Sequence, residues 1–340
     1  MEKCDVVVLG AGITGLALAY FLKDQCSVRV LEAKSLPGGV IQTIQAGSFL
    51  LELGPDCFMN QKPWGLNLAL ELGLQSELIE SNEDQRRVYV LKNGQWIVSN
   101  HEDKSVTEFL GNRLRSGVNP NAFLSFKKGM QTWTDALARE LGARLHLNEA
   151  VTSYALDQSI IHCRSGASFC ARRIVSTLPA AETARLLGVD WSFLETTHTH
   201  SLYLAYPKSA FRKPLDAFGL IVPAAEHQAF SAVTFTSTKF NDRCPTDTLL
   251  FRVFTKSDAQ RAQRDFESVF EPSAAPCLVR NFSLTYANPQ YPENHFEQVA
   301  QIESMLPHGF QIAGSPYHGV GISDCVLRAK ELSEKILKSN

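Results

Sequence analysis

The hydrophobic and polar positions of this chain follow different periods in different places, and each period predicts a different element. Residues 6–9 (VVVL) are an unbroken apolar run, suited to a strand buried on both faces. The glycine-rich turn from Gly10 to Gly15 comes next, and Leu16, Ala19, Tyr20 and Lys23 then fall on successive helical turns. Residues 28–31 form a second apolar run. A strand, a helix and a strand within about thirty residues predict the opening of a nucleotide-binding sheet.

Further along, residues 49–53 alternate weakly and end in the turn GPD, and residues 64–72 have helical spacing that stops at Gly73. Residues 88–91 and 96–98 flank Asn93-Gly94, the dipeptide of a tight hairpin. In DKSVTEFLGNRL, Ser105 and Glu108 have capping-box spacing, and Val106, Phe109, Leu110 and Leu114 share one helical face. Ser116-Gly117 and Asn119-Pro120 then predict a compact surface turn with no helix of its own. Thr132 and Asp135 resemble a helix cap ahead of the apolar stripe Trp133, Leu137 and Leu141. Residues 145–177 read as three or four strands with a hairpin at Ser165-Gly166. Residues 195–285 are strand-like, rich in aromatic and β-branched positions, with the alternation of a sheet covered on one face. A short helix over 298–305, a strand over 310–313 and a closing helix over 324–337 complete the chain.

The size, 340 residues, suits two domains or one large interleaved unit. With 44% hydrophobic and 20% charged residues a globular core is expected. The formal net charge of −2 gives no reason to expect nucleic acid or an anionic membrane surface as partner. The cysteines, at positions 4, 26, 57, 163, 170, 244, 277 and 325, include no C-x-x-C pair, which argues against a zinc site or a disulfide framework and for reduced thiols in a cytoplasmic protein. The start, MEKCDVVVLGAG, does not look like a secretory signal. No apolar segment approaches the ~20 residues of a spanning helix, so membrane contact is expected to be at most peripheral, on the inner membrane.

The chemistry concentrates at the two ends. Gly10, Gly12 and Gly15 make G-x-G-x-x-G, with Ala11, Ile13 and Thr14 between them. The first glycine permits the turn, the second lets backbone approach a pyrophosphate, and the third lets helix pack on strand. The helix N-terminus offers free N–H groups to phosphate. Glu32, twenty residues after Gly12, stands at the end of the second strand, where a carboxylate can accept hydrogen bonds from a ribose. Near the C-terminus, Gly314, Gly319 and Gly321 give a loop pliable enough to lie against a flat ligand, and Ser323 is placed to cap the helix that follows.

The run LEAKSLPGGVIQT resembles the flavoprotein signature of FAD enzymes of the glutathione-reductase and amine-oxidase type, which implies FAD contacts at Glu32, Ala33, Gly38 and Gly39. Val40 stands where that signature commonly has a basic residue. The blocks GAGITGLA, LEAKSLPGG, LELGPDCF, SVTEFLGNRL, SFKKGMQTWTDALA, NPQYPENH and GVGISDC together resemble the protoporphyrinogen oxidase family of the flavin-containing amine oxidase superfamily, in that family's order. The resemblance implies that Gly54, Pro55, Asp56 and Cys57 return beside the isoalloxazine and that Val151 contacts adenine through its backbone. It also implies that Gly314, Val320, Gly321 and Ile322 place a helix N-terminus at the flavin pyrimidine edge, where a dipole favours the reduced state. Lys128 replaces the first glycine of the family's Gly-Gly-Met, leaving Gly129 and Met130.

The fold expected is α/β: a Rossmann-like FAD-binding domain (1–60, 123–185 and 295–340) interleaved with a mixed-sheet substrate domain (61–99 and 186–294), with 100–122 as the remnant of a shortened helical, membrane-facing domain. The activity implied is oxidation of protoporphyrinogen IX to protoporphyrin IX by hydride transfer to flavin N5, with reoxidation by O2 or another acceptor. No catalytic side chain and no metal are required, since the cofactor carries the chemistry. Lys62 is the candidate for a substrate propionate, and His198 and His200, alternating on a strand, lack a third partner for a metal site. A homodimer is compatible with the family. Competing readings are an amine- or carotenoid-oxidising relative, or a flavin-binding protein without turnover because of the missing helical segment.

Overall fold

In the computed structural model the described residues are 1–99, 123–255 and 257–339. The capped helix expected after Ser105, the turn expected over 116–122 and the shortened 100–122 segment lie outside them.

The apolar run 6–9 is the inner half of strand Glu2–Leu9, which has a parallel neighbour on each side. Val28–Leu31 pairs from Val6↔Val28 to Leu9↔Leu31, and Ser168–Ser176 pairs from Glu2↔Phe169 to Leu9↔Ser176. Leu145–His146 extends one edge, and Phe310–Ile312 pairs with the end of Ser168–Ser176. Ile160–Cys163 and Val151–Ala155 complete the sheet in antiparallel sense. Successive side chains of a strand point to opposite faces. Val6 and Val8 accordingly join one core, with helices Ile13–Leu22, Gln131–Leu141 and Ile322–Lys338, while Val7 and Leu9 join a second, with Ala180–Leu187 and His295–Met305. All four residues are fully buried, which is why this strand is apolar throughout instead of alternating.

The second sheet runs in the order Leu278–Pro289, Thr196–Pro207, Thr248–Thr255, Phe230–Phe235, Gly219–Ile221, Val88–Lys92 and Gln95–Val98. The hairpin at its edge turns through Asn93 and Gly94, both at positive φ (51° and 73°), as the dipeptide predicts. One face of this sheet is covered by helix Ala259–Phe270, a segment the sequence reading takes as strand-like. Ala262, Phe266 and Phe270 lie four residues apart and are buried together, and Asp258 accepts the N–H of Arg261 at the helix start. Phe266 stacks on Phe270 (centroids 4.1 Å apart, planes 13°) and meets Phe251 edge-on. On the other face, Tyr203, Ala205 and Leu250 pack against Leu51, which comes from the first unit.

Three local expectations are corrected. Helix Pro63–Glu71, expected with the substrate sheet, buries Leu68 and Ala69 in the first core beside Ile322–Lys338, because its apolar stripe faces that helix. Thr132 and Asp135 do not cap helix Gln131–Leu141; it starts directly after Met130, and Thr132 is already inside its first turn. Ser323 likewise lies within helix Ile322–Lys338, with its hydroxyl 3.5 Å from the Met59 carbonyl, and Gly321 holds the cap position.

Truncation of Phe266 to alanine removes the centre of the aromatic layer under the second sheet. Urea unfolding of F266A is expected to show a loss of about 3–5 kcal/mol relative to the parent protein.

Candidate functional site

Four stretches that are far apart in sequence converge at the C-terminal ends of the parallel strands. The chain leaves strand Glu2–Leu9 at Gly10 (φ 98°) and enters helix Ile13–Leu22 through Gly12. A β-carbon on Gly15 would lie 2.1 Å from the Gly10 carbonyl oxygen, so no side chain fits there. The second glycine pair closes on this loop. Gly38 donates its N–H to the Ala11 carbonyl at 2.7 Å, and a β-carbon on Gly39 would stand 3.2 Å from the Gly12 α-carbon. The corresponding direction from Gly12 itself is open for 4 Å. No acidic residue lies in the first turn of helix Ile13–Leu22, and no described side chain caps it. Its positive end therefore faces this open side uncapped, as an anion site requires.

Glu32 is buried, and both carboxylate oxygens are oriented by backbone: Oε2 accepts the Ala11 N–H at 2.8 Å and Oε1 the Lys34 N–H at 2.9 Å. Each oxygen keeps a lone pair for a ribose hydroxyl. The backbone of 148–149 runs alongside, with Asn148 N–H to the Lys34 carbonyl and Glu149 N–H to the Glu32 carbonyl, which brings Val151 to the same end of the sheet. Ala33 follows Glu32 directly, while Val40 is partly exposed at the far side of the glycine pair. The loop Gly314–Gly321 lies against the start of the first helix, with Gly314 (φ 112°) beside Thr14. An open glycine face, a free helix end and a fixed carboxylate beyond it suit a dinucleotide of the FAD type.

Gly54, Pro55, Asp56 and Cys57 form the edge of this cradle toward the second sheet, and here the structure shows a polar junction that the sequence reading missed. Arg252, from the middle of strand Thr248–Thr255, donates to the carbonyls of Leu53 (2.6 Å) and Gly54 and to the hydroxyl of Ser201. Lys239 sits 2.9 and 3.1 Å from the two carboxylate oxygens of Asp56 and 3.1 Å from the Cys57 sulfur. Burial alone would raise the pKa of Asp56, but the Lys239 ammonium outweighs it and holds the carboxyl down to about 2. The same burial, together with Asp56, pushes the Cys57 thiol up to about 12 against the pull of Lys239, so the sulfur is a neutral thiol. Arg243 is buried beside them and donates to Ser125 and to the carbonyl of Phe126. The signal for Arg252 was a lone charge inside an apolar strand (TLLFRVFT), which gives no direction until the sheet is formed, and no such local signal marks Lys239 or Arg243.

Glu52 closes the junction from behind. Its carboxyl accepts the Met130 N–H and the Thr43 hydroxyl, both at 2.8 Å, and burial pushes its pKa up to about 7. Lys62, the expected propionate partner, is ion-paired with Asp324 (2.6 Å) in the first turn of helix Ile322–Lys338; it stands at the C-terminal loop, half-exposed. His198 falls at a register shift in the pairing of Thr196–Pro207 with Leu278–Pro289, where the extra residues belong to the partner strand. Among the described residues no group of three His, Cys, Asp or Glu side chains is placed to hold a metal ion. No helix among them is long and apolar enough to cross a membrane.

Comparison with known proteins gives two family matches. Residues 8–69 match the NAD(P)-binding Rossmann-like domain, and residues 101–337 match the flavin containing amine oxidoreductase family. The coproporphyrinogen III oxidase of Staphylococcus aureus (strain NCTC 8325 / PS 47) is 20% identical over 462 residues, covering 98% of this chain and 99% of that protein. That alignment is longer than the chain, so internal stretches of the relative have no counterpart here. The chloroplastic protoporphyrinogen oxidase of Nicotiana tabacum is 34% identical over 91 residues, 26% of this chain and 16% of that one. A crystal structure from Exiguobacterium sp. 255-15, of a protein named as a candidate protoporphyrinogen oxidase, superposes with a TM-score of 0.84 at 18% identity, over 100% of this chain and 99% of that one.

Two outcomes are expected at the junction. K239M strands a carboxylate that is only 20% exposed and is expected to cost about 2–3 kcal/mol in urea unfolding, with D56N/K239M losing less than the sum of the single variants. Glu52 has a folded-state pKa raised from 4.5 to about 7, so its contribution to stability is complete below pH 4.5 and is lost as pH rises through 7. Across that interval the parent protein is expected to lose on the order of 3 kcal/mol relative to E52Q, as read from thermal melts.

Proposed function

The chain belongs to the flavin-containing amine oxidoreductase family and is an FAD-dependent oxidoreductase, and on that premise we propose that it oxidises a porphyrinogen to the corresponding porphyrin. The observation that carries the proposal is the shared site: the glycine loops around Gly12, Gly39 and Gly314 form a dinucleotide cradle whose edge, Gly54 to Cys57, is gripped by Arg252 of a separate sheet and by Lys239 of the short helix Thr236–Lys239 between two of its strands. Support for the substrate class comes from a relative that matches the chain nearly from end to end and is named for the oxidation of coproporphyrinogen III.

When bound, FAD supplies a hydride acceptor at N5 and passes electrons on to O2 or another acceptor. The residues of this chain bind and orient. Gly10, Ala11, Gly12, Ile13, Thr14 and Gly15 meet the pyrophosphate, Glu32 the ribose, and Val151 the adenine. Ala33, Gly38, Gly39 and Val40 line the approach between them. Gly54, Pro55, Asp56 and Cys57 would lie beside the isoalloxazine, and Gly314, Val320, Gly321 and Ile322 would turn a helix N-terminus toward its pyrimidine edge. Lys62 contributes to substrate recognition from its pair with Asp324. Protoporphyrinogen IX is the first reading of the substrate. Coproporphyrinogen III is the second, favoured by the name of the end-to-end relative.

Anaerobic titration decides. Protoporphyrinogen IX or coproporphyrinogen III is expected to bleach the flavin absorbance, and admitting air is expected to restore it as porphyrin fluorescence grows. The substrate that bleaches at the lower concentration identifies the reading. A flavin that neither compound reduces, but that an amine does, overturns the proposal.

A further inference from the structure

The loop Gly314–Gly321 has to stand still if it is to aim a helix end at a ligand, and only its first half is braced from within, where the Tyr317 and His318 N–H groups donate to the Gly314 carbonyl. The remaining ties come from outside. Tyr291 lies in the short connection between strand Leu278–Pro289 and helix His295–Met305. Its hydroxyl donates to the Ser315 carbonyl and accepts the Gly319 N–H at 2.8 Å, so one oxygen atom bridges both sides of the loop. Its ring stacks on His295 (centroids 3.7 Å apart, planes 12°). His295 is buried and its Nε2 lies 3.1 Å from the Tyr317 carbonyl; that oxygen can only accept, so Nε2 carries the proton. Burial lowers the pKa of His295, which keeps it neutral in this role. The loop is therefore tied from outside at Ser315, Tyr317 and Gly319. At its far end Gly319 (φ 133°) sits where a β-carbon would lie 2.8 Å from Asp324, so the backbone there has little room to relax.

We propose that Tyr291 is a positioning residue for the cofactor: its phenol clamps the Gly314–Gly321 loop and thereby sets where the N-terminus of helix Ile322–Lys338 stands against the flavin. The positive end of that helix favours the negative charge acquired on reduction. Loosening the clamp moves this charge off its target and makes the reduced form less favourable. The part of the proposal that concerns the flavin rests on FAD occupying the cradle; the clamp itself does not.

The test is Tyr291→Phe, which keeps the ring stacked on His295 and removes only the hydroxyl. In flavin-free protein, hydrogen exchange at the Gly319 amide is expected to speed up at least several-fold, because its partner is gone. In the holoprotein the ratio of reduced to oxidised flavin at a fixed potential is expected to fall about tenfold, equivalent to about 30 mV for a two-electron couple. F296A, at a ring 63% exposed beside Tyr291, is the control and is expected to change neither readout. Unchanged exchange in Y291F overturns the clamp. Faster exchange with an unchanged flavin potential overturns the positioning role. Equal shifts in F296A overturn the assignment to the hydroxyl. If the parent protein takes up no FAD, the cofactor reading fails, and the exchange experiment still decides whether the clamp exists.

Discussion

Backbone has to touch backbone at the head of the parallel sheet, and the rest of the site depends on that contact. The first glycine loop and the second meet with no side chain between them: Gly38 donates to Ala11, and Gly39 comes within van der Waals reach of Gly12. A β-carbon on Gly15 would collide with Gly10 and push the first helix off the strand. Because these loops close, Glu32 is brought where the Ala11 and Lys34 amides can orient its carboxylate. One side of Gly12 stays open in front of an uncapped helix end, and the cradle takes its polarity from that arrangement.

The second unit reaches the cradle through buried charge. Arg252 spends its guanidinium on two carbonyls of the 53–54 turn and on Ser201, and Lys239 neutralises Asp56 next to the Cys57 thiol. Buried ion pairs of this kind add little net stability compared with apolar packing, but losing one partner is costly. They fix geometry, here the position of the Gly54–Cys57 edge relative to the second sheet. Glu52, neutral below about pH 7, is the one carboxyl of the junction whose environment resists ionisation, since its burial outweighs the amide of Met130, the hydroxyl of Thr43 and the charge of Arg243.

Much of the first unit was legible from local pattern. Residues 6–9 and 28–31 read as buried strands because a strand covered on both faces has no reason to alternate, and G-x-G-x-x-G marked the turn between strand and helix. Asn93-Gly94 announced its hairpin because few other pairs tolerate two positive φ values in succession. The same local reasoning failed for helix Ala259–Phe270: its apolar positions have helical spacing, but they are aromatic and stand among strands rich in the same residues. It also misplaced the caps at Thr132 and Ser323, since a hydroxyl near a helix start is a cap only if the backbone begins to turn at that residue.

Sequence alone determined where the chain must come close to itself, because glycine at Gly10, Gly12, Gly15, Gly38 and Gly39 is a statement about excluded volume that needs no knowledge of the fold. It also determined the order of the motif blocks, and through their resemblance the family. Only the tertiary structure decided what surrounds them. That Arg252 and Lys239 close on the 53–57 turn, that Lys62 is paired with Asp324, and that Tyr291 bridges Ser315 and Gly319 are contacts between residues from 24 to 262 positions apart. No local period encodes such distances. They exist because two sheets and a returning helix are packed in one arrangement, and the directions of polar side chains are set only once that packing is complete.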